Sequence, residues 1–350
     1  LVDWGFFNIL NYPKMDTKDS FIIKGLAGKK TLKGEITIKG AKNAILKVLA
    51  ASILFKDEVT VTNVPDIEDV HRAFEVLIEL GAIITKINAD TFKIDTSQIN
   101  RTDISVDISK KMRSSIVFTG PLLARFGQVS FPYPGGCVIG RRPIDIFLTC
   151  FAKLGAKTTL AGEIYHLKTS GQKLRATEMF FRVQSVTATE TMIMATVLAK
   201  GKTVLKNCAL EPEIASLANY LNECGAKIEG IGTPTLTIFG GPLLSGKNKI
   251  YQTIPDRIEA GSFVILGALC GKDIKINRCV PGHIESLIQK LQEAGVDVQV
   301  GKDWIRVTDG GRKKILPFDI KTHEYPGFAT DVQAPMAVLL TQDDGESFIF

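Results

Sequence analysis

A chain of 350 residues, 45% of them hydrophobic, can bury two cores, since single domains usually run about 100–200 residues. Its formal charge of +6 is spread without runs of five or more basic residues, which excludes a nucleic-acid tail and suits a small acidic ligand. Six cysteines without a CxxC pair, four histidines (His71, His166, His283, His323) without a metal-ligand spacing, and no stretch of 18 apolar residues predict a reduced, cytoplasmic protein with no metal, no cofactor and no membrane span.

Taken in chain order, residues 1–20 read as a leader outside the folded part, with Met15 as a candidate start. The strand Glu35–Ile38 then runs into Gly40-Ala41-Lys42-Asn43-Ala44 and an apolar helix over 44–54. Backbone N–H groups at a helix start, joined by one Lys, make a phosphate or carboxylate site. An isolated string of this kind is more often a surface Lys in a turn.

Next come a β-branched run ending in Asn63, an amphipathic helix, and Leu80-Gly81-Ala82. Lys111-Met112-Arg113-Ser114-Ser115 leads into a second apolar segment over 115–124. The loop from Pro134 to Pro143 holds three glycines, two prolines, Cys137 and the pair Arg141-Arg142. Its neighbouring cations lower the pKa of a thiol, so Cys137 is the candidate reactive cysteine, and the Arg142 fork suits bidentate phosphate binding. The other five cysteines read as inert.

Further apolar segments occupy 192–199 and 262–269, with β-branched runs ending at Asn207 and Asn277. Between them lie Glu211-Pro212-Glu213 and Pro255-Asp256-Arg257-Ile258-Glu259, whose acids read as a structural charge pair in the case of Asp256 and Glu259. Asp331 stands before another apolar run, where Asp in a Thr-Asp pair usually caps a helix.

The glycines Gly81, Gly155, Gly225 and Gly295 are 74, 70 and 70 residues apart, and Asn63, Asn207 and Asn277 each precede theirs by 18. This defines a repeat of about 70 residues. Each unit reads as a buried helix apolar all round, a strand, an amphipathic surface helix closed by a glycine of positive φ, and a strand or strand pair.

Helices inside and sheets outside resemble the inside-out, barrel-like α/β fold of the enolpyruvyl transferases, in which two domains are each built from such units. The GAKNA segment, Lys111–Ser115, the cysteine loop, Glu211–Glu213, Pro255–Glu259 and Thr330-Asp331-Val332-Gln333-Ala334 occur in the order of the UDP-N-acetylglucosamine-using branch of that family, from about Phe21 onward. The resemblance implies transfer of the enolpyruvyl group of phosphoenolpyruvate to the sugar 3-hydroxyl, the first committed step of peptidoglycan synthesis, with two small-molecule substrates and no nucleic acid. It implies Cys137 as proton donor, Asp331 as base, and Lys42 and Arg142 as cations for the phosphate. Asn43 and Arg113 match the substrate site, and Arg142-Pro143-Ile144-Asp145-Ile146 and Ser185-Val186 match nucleotide-contacting stretches.

Three positions depart from the family pattern: Thr187 for a usual Gly, Phe147 for a frequent His, and Arg141 for a small residue. The repeats place one domain at 42–254 and a second at 21–41 plus 255–350, with the active site expected in the cleft between them and the last unit expected to be incomplete at Phe350. The rivals are a shikimate-pathway transferase, which lacks the cysteine loop, a nucleic-acid-binding repeat protein, and an inactive paralogue.

Overall fold

The computed structural model describes residues 25, 32–135, 143–171, 173–309 and 314–350. The leader segment at 1–20 and the positions of Cys137, Arg141 and Arg142 lie outside the described residues. The chain forms two compact units, one of Lys39–Ile254 and one that joins the stretch up to Ile38 with Pro255–Phe350.

The described chain opens with β1 (Leu32–Thr37). The first repeat is α1 (Lys42–Ala51), β2 (Val59–Thr62), α2 (Glu68–Leu80), β3 (Ile83–Lys86) and β4 (Phe92–Asp95). The second holds α3 (Val106–Lys111), a 3-10 turn at Arg113–Phe118, α4 (Thr119–Phe126), β5 (Gln128–Pro132), α5 (Asp145–Lys153), β6 (Ala156–Ala161) and β7 (Ile164–Thr169). The third runs β8 (Glu178–Phe180), α6 (Val186–Thr196), β9 (Lys202–Lys206), α7 (Pro212–Glu223), β10 (Lys227–Glu229), β11 (Thr235–Phe239) and β12 (Ile250–Gln252). The other unit continues with α8 (Arg257–Cys270), β13 (Gly271–Asn277), α9 (Glu285–Glu293), β14 (Asp297–Val300), β15 (Trp304–Thr308) and α10 (Gln333–Leu340).

Two kinds of helix alternate, and the sequence dictates which is which. In α1 every residue from Ala44 to Ala51 is buried, and in α6 every residue from Ala188 to Thr196. The amphipathic α2, α7 and α9 each bury one face. Gly81, Gly155, Gly225 and Gly295 close the surface helices with φ of 104°, 89°, 105° and 81°, the left-handed region where a Cβ is strained.

The strands form open sheets, and among the described residues none closes into a barrel. Three sheets share one design: a parallel strand, a central strand, and a hairpin beyond it, in the orders β1-β13-β15-β14, β8-β9-β11-β10 and β12-β2-β4-β3. In the second repeat β5, β7 and β6 pair as a three-stranded sheet, and the parallel position is reduced to a bridge between Asp103 and Ser130. Because β12 ends the Lys39–Ile254 unit while β2 begins it, their ladder closes that unit on itself.

The repeated Asn has a physical reason. Asn63 and Asn207 leave the central strands at φ of 54° and 58°, a region Asn tolerates better than most residues. Their Nδ2 atoms donate to the carbonyls of Thr253 and Phe181, both 2.8 Å away, beside the parallel strand. Asn277 differs. The ladder of β1 with β13 reaches Thr37–Asn277, so Asn277 stays in the strand, donates to Glu35 Oε2 at 2.7 Å, and passes the positive φ of 57° to Arg278.

Each unit has its own core: one built around Ile45, Leu49, Phe55, Phe118, Phe151 and Leu221, the other around Val264, Ile276, Leu291, Ile305 and Met336. Inside the larger core α4 and α6 touch at Gly120, where a Cβ would stand 2.6 Å from the Thr191 carbonyl oxygen.

Candidate functional site

The helix start at Lys42 is held by backbone geometry. A Cβ on Gly40 would lie 1.9 Å from the Asn63 carbonyl oxygen, so only glycine lets the chain pass. Ala41 N–H donates to the Ile254 carbonyl at 2.8 Å, and Ala41 caps α1 without a side-chain bond, so the positive end of the helix dipole is not covered by a capping side chain. Lys42 is half-exposed, with its ammonium 3.3 Å from Asp69 on the first turn of α2.

This start opens into a cavity of about 560 Å³ lined entirely by the Lys39–Ile254 unit. Lys42 and Asn43 come from α1, Arg113 and Ser114 from the 3-10 turn, Pro143–Ile146 from the start of α5, and Ser185 from the start of α6. Ser185 caps α6, its Oγ accepting from Ala188 N–H at 3.2 Å. The start of α5 is capped by Ile144 with no side-chain bond, and Asp145 forms an ion pair with Arg182. Pro134 lines the wall, and the described end of the glycine-rich loop is tied down by Gly135 N–H donating to the Ser109 carbonyl at 2.9 Å.

Lys42, Lys47, Lys111, Arg113 and Arg182 face this cavity against Asp69 and Asp145, an excess of positive charge reinforced by helix starts. Such a cavity accepts an anion with several phosphate or carboxylate oxygens.

The cavity thus brings together Lys42, Asn43, Arg113, Pro143, Ile144, Asp145, Ile146 and Ser185 of the residues named from the sequence. Val186 packs partly against the core and is not in the lining. Asp331 belongs to the other unit, exposed in a 3-10 turn before α10. The capping role is overturned: Ala329 and Val332 occupy the cap positions, because the turn starts at Thr330, two residues earlier than an Asp331 cap requires. Asp256, read as part of a charge pair, caps α8, accepting from the amides of Ile258 at 2.8 Å and Glu259 at 3.1 Å. Both described departures, Phe147 and Thr187, face the cavity.

Sequence reasoning missed Lys47, Asp69, Lys111 and Arg182 in the lining, and Glu190 beneath it. Glu190 is fully buried and pairs with the Lys47 ammonium at 3.2 Å. Burial pushes its carboxyl up to about 7, against the pull of Lys47 and with smaller help from Glu213 and Glu211. For Lys47 and Glu190 one signal was present: each is a charged residue in the apolar interior of its helix.

Burial likewise pushes the thiols of Cys150, Cys224 and Cys279 up to about 11 and that of Cys208 to about 12. Cys270 is half-buried. Among the described residues no group of His, Cys, Asp and Glu is placed to hold a metal, and no helix is long and apolar enough to cross a membrane.

The family described as EPSP synthase (3-phosphoshikimate 1-carboxyvinyltransferase) matches residues 26–349. Among curated relatives, the UDP-N-acetylglucosamine 1-carboxyvinyltransferase of Desulforapulum autotrophicum is 43% identical over 93% of this chain and 76% of its own length. That of Trichlorobacter lovleyi is 43% identical over 95% and 77%, and that of Helicobacter pylori 40% over 93% and 76%. Of solved structures, the enolpyruvyl transferase NikO of Streptomyces tendae superposes with a TM-score of 0.77 at 22% identity, covering 92% of this chain and 76% of that one. An EPSP synthase of Acinetobacter baumannii gives 0.66 at 15%, covering 92% and 74%. The chain, which spans about three-quarters of these relatives' length, belongs to the enolpyruvyl transferase family and, within it, to the UDP-N-acetylglucosamine 1-carboxyvinyltransferases.

Proposed function

We propose that the protein transfers the enolpyruvyl group of phosphoenolpyruvate to the 3-hydroxyl of UDP-N-acetylglucosamine, in the cytoplasm and in the service of peptidoglycan synthesis. The observation that carries the reading is the cation-rich cavity fed by the starts of α1, α5 and α6, in a chain whose curated relatives carry that activity by name. A diphosphate diester and a phosphorylated carboxylate both fit such a field.

In this reading the sugar hydroxyl oxygen bonds to C2 of phosphoenolpyruvate while C3 gains a proton, giving a tetrahedral intermediate. Loss of a C3 proton and of inorganic phosphate then restores the double bond. Cys137 delivers the proton to C3 and Asp331 receives the hydroxyl proton. Lys42 and Arg142 neutralise the phosphate as it leaves, while Arg113, Asn43, Pro143–Ile146 and the Ser185-Val186 turn hold the nucleotide.

The test is phosphate release from phosphoenolpyruvate, with UDP-N-acetylglucosamine or shikimate 3-phosphate as acceptor. Release that depends on the sugar nucleotide, and falls at least 30-fold in Lys42→Ala, supports the reading. Release with shikimate 3-phosphate alone, or unchanged release in Lys42→Ala, overturns it.

A further inference from the structure

Lys47 is the fourth residue after Asn43, one full turn deeper in α1, and the cavity floor includes it although its side chain is only 7% exposed. Its ammonium donates to the Asn43 carbonyl at 2.8 Å and meets Glu190 Oε2 at 3.2 Å. Glu190 comes from α6, the helix whose capped start forms another wall of the same cavity. One ion pair therefore ties the two buried helices together directly below the residues that face the ligand. A buried ion pair adds little stability over an apolar pair of similar volume, so packing alone gives no reason for a Lys and a Glu at these positions. What the pair does add is a fixed direction: an ammonium held from below by a carboxylate is aimed at the carbonyl above it.

We infer that Lys47 is a positioning residue of the nucleotide pocket, its ammonium anchored by Glu190 so as to fix the Asn43 carbonyl and with it the first turn of α1 that carries Lys42 and Asn43. The inference rests on the reading that this pocket takes the sugar nucleotide. Glu190 is faced by Lys47 from α1, by Glu211 and Glu213 at the start of α7, and by Tyr251 from β12. With its carboxyl pushed up to about 7, Glu190 is anionic at pH 8 and holds the ammonium, whereas at pH 6 it takes up a proton and the hold relaxes. The diphosphate of a sugar nucleotide is a diester and keeps its charge over this range, so the pH dependence belongs to the protein.

The experiment is calorimetric titration of UDP-N-acetylglucosamine into the protein, Lys47→Met and Glu190→Gln at pH 6 and pH 8, with amide hydrogen exchange over residues 43–49 of the free proteins. The expected result is about a tenfold weaker Kd at pH 8 in both variants, faster exchange over 43–49 in both, and a several-fold weaker Kd at pH 6 than at pH 8 in the parent that vanishes in Glu190→Gln. Parental affinity and exchange in a folded Lys47→Met overturn the inference. So does a Lys47→Met effect that Glu190→Gln does not share, because Lys47 would then act without its anchor. If either variant fails to fold, the other still decides through its exchange and pH profile. If the parent itself does not bind the nucleotide, the proposed function falls, and exchange over 43–49 alone decides whether the pair fixes the turn.

Discussion

The buried carboxyl of Glu190 makes the stability of this protein depend on pH in a direction opposite to that of most carboxylates. In the folded chain burial holds the group up at about 7, against an ordinary value of 4.5 that the unfolded chain recovers. Between those two values the native state binds the proton that the unfolded state has released, so stability is full below about pH 4.5 and is lost as pH rises through 7. The difference between the two values corresponds to a loss of about 3 kcal/mol, most of it between pH 5 and 7. Glu190→Gln keeps the shape and removes the titration. Urea unfolding of both proteins at half-unit steps from pH 5 to 8 should show the variant gaining on the parent by about 2–3 kcal/mol over the range, whatever constant cost comes from leaving Lys47 without its carboxylate. Parallel stability curves would refute the reasoning, since they would mean that Glu190 titrates alike in the folded and unfolded chain.

Two other outcomes are expected. Asn63→Ala should destabilise by about 2–3 kcal/mol, losing the buried bond to the Thr253 carbonyl and straining a positive φ, whereas Asn63→Gly should cost about 1 kcal/mol less; chemical denaturation showing equal costs would remove the conformational part of the argument. Brief treatment of the folded protein with a thiol alkylator at pH 8 should modify Cys137 first and leave Cys150, Cys208, Cys224 and Cys279 unlabelled, because burial keeps those four in the thiol form; mass spectrometry finding any of them modified before Cys137 would count against the assignment.

Much of the fold was legible because it is periodic. A glycine of positive φ ends each surface helix, and a helix apolar on every side has nowhere to go but an interior, so both features can be read from one repeat and checked in the next. The pairing of β12 with β2 was not legible. Its ladder joins Ile250 to Thr60, and nothing local in a three-residue strand says that its partner lies at the far end of the unit. The same holds for the shift from Asn277 to Arg278, which depends on how far the ladder with β1 extends.

The site divides along a similar line. Lys42, Asn43, Arg113, Pro143–Ile146 and Ser185 sit at the starts of helices or turns, where a short motif encodes both the backbone and the side chains that it presents, and they do meet in one cavity. Lys47, Arg182 and Glu190 act through partners in other repeats, and only the tertiary arrangement of the repeats decides which charges pair. A lysine inside an apolar helix still announces that something must neutralise it, since a lone buried charge costs several kcal/mol. The sequence offers few interior acids to choose from, Glu190 among them, in the helix that serves the third repeat as α1 serves the first. A charge that breaks the apolar pattern of one repeat is therefore best paired with a charge that breaks it at an equivalent helix of another.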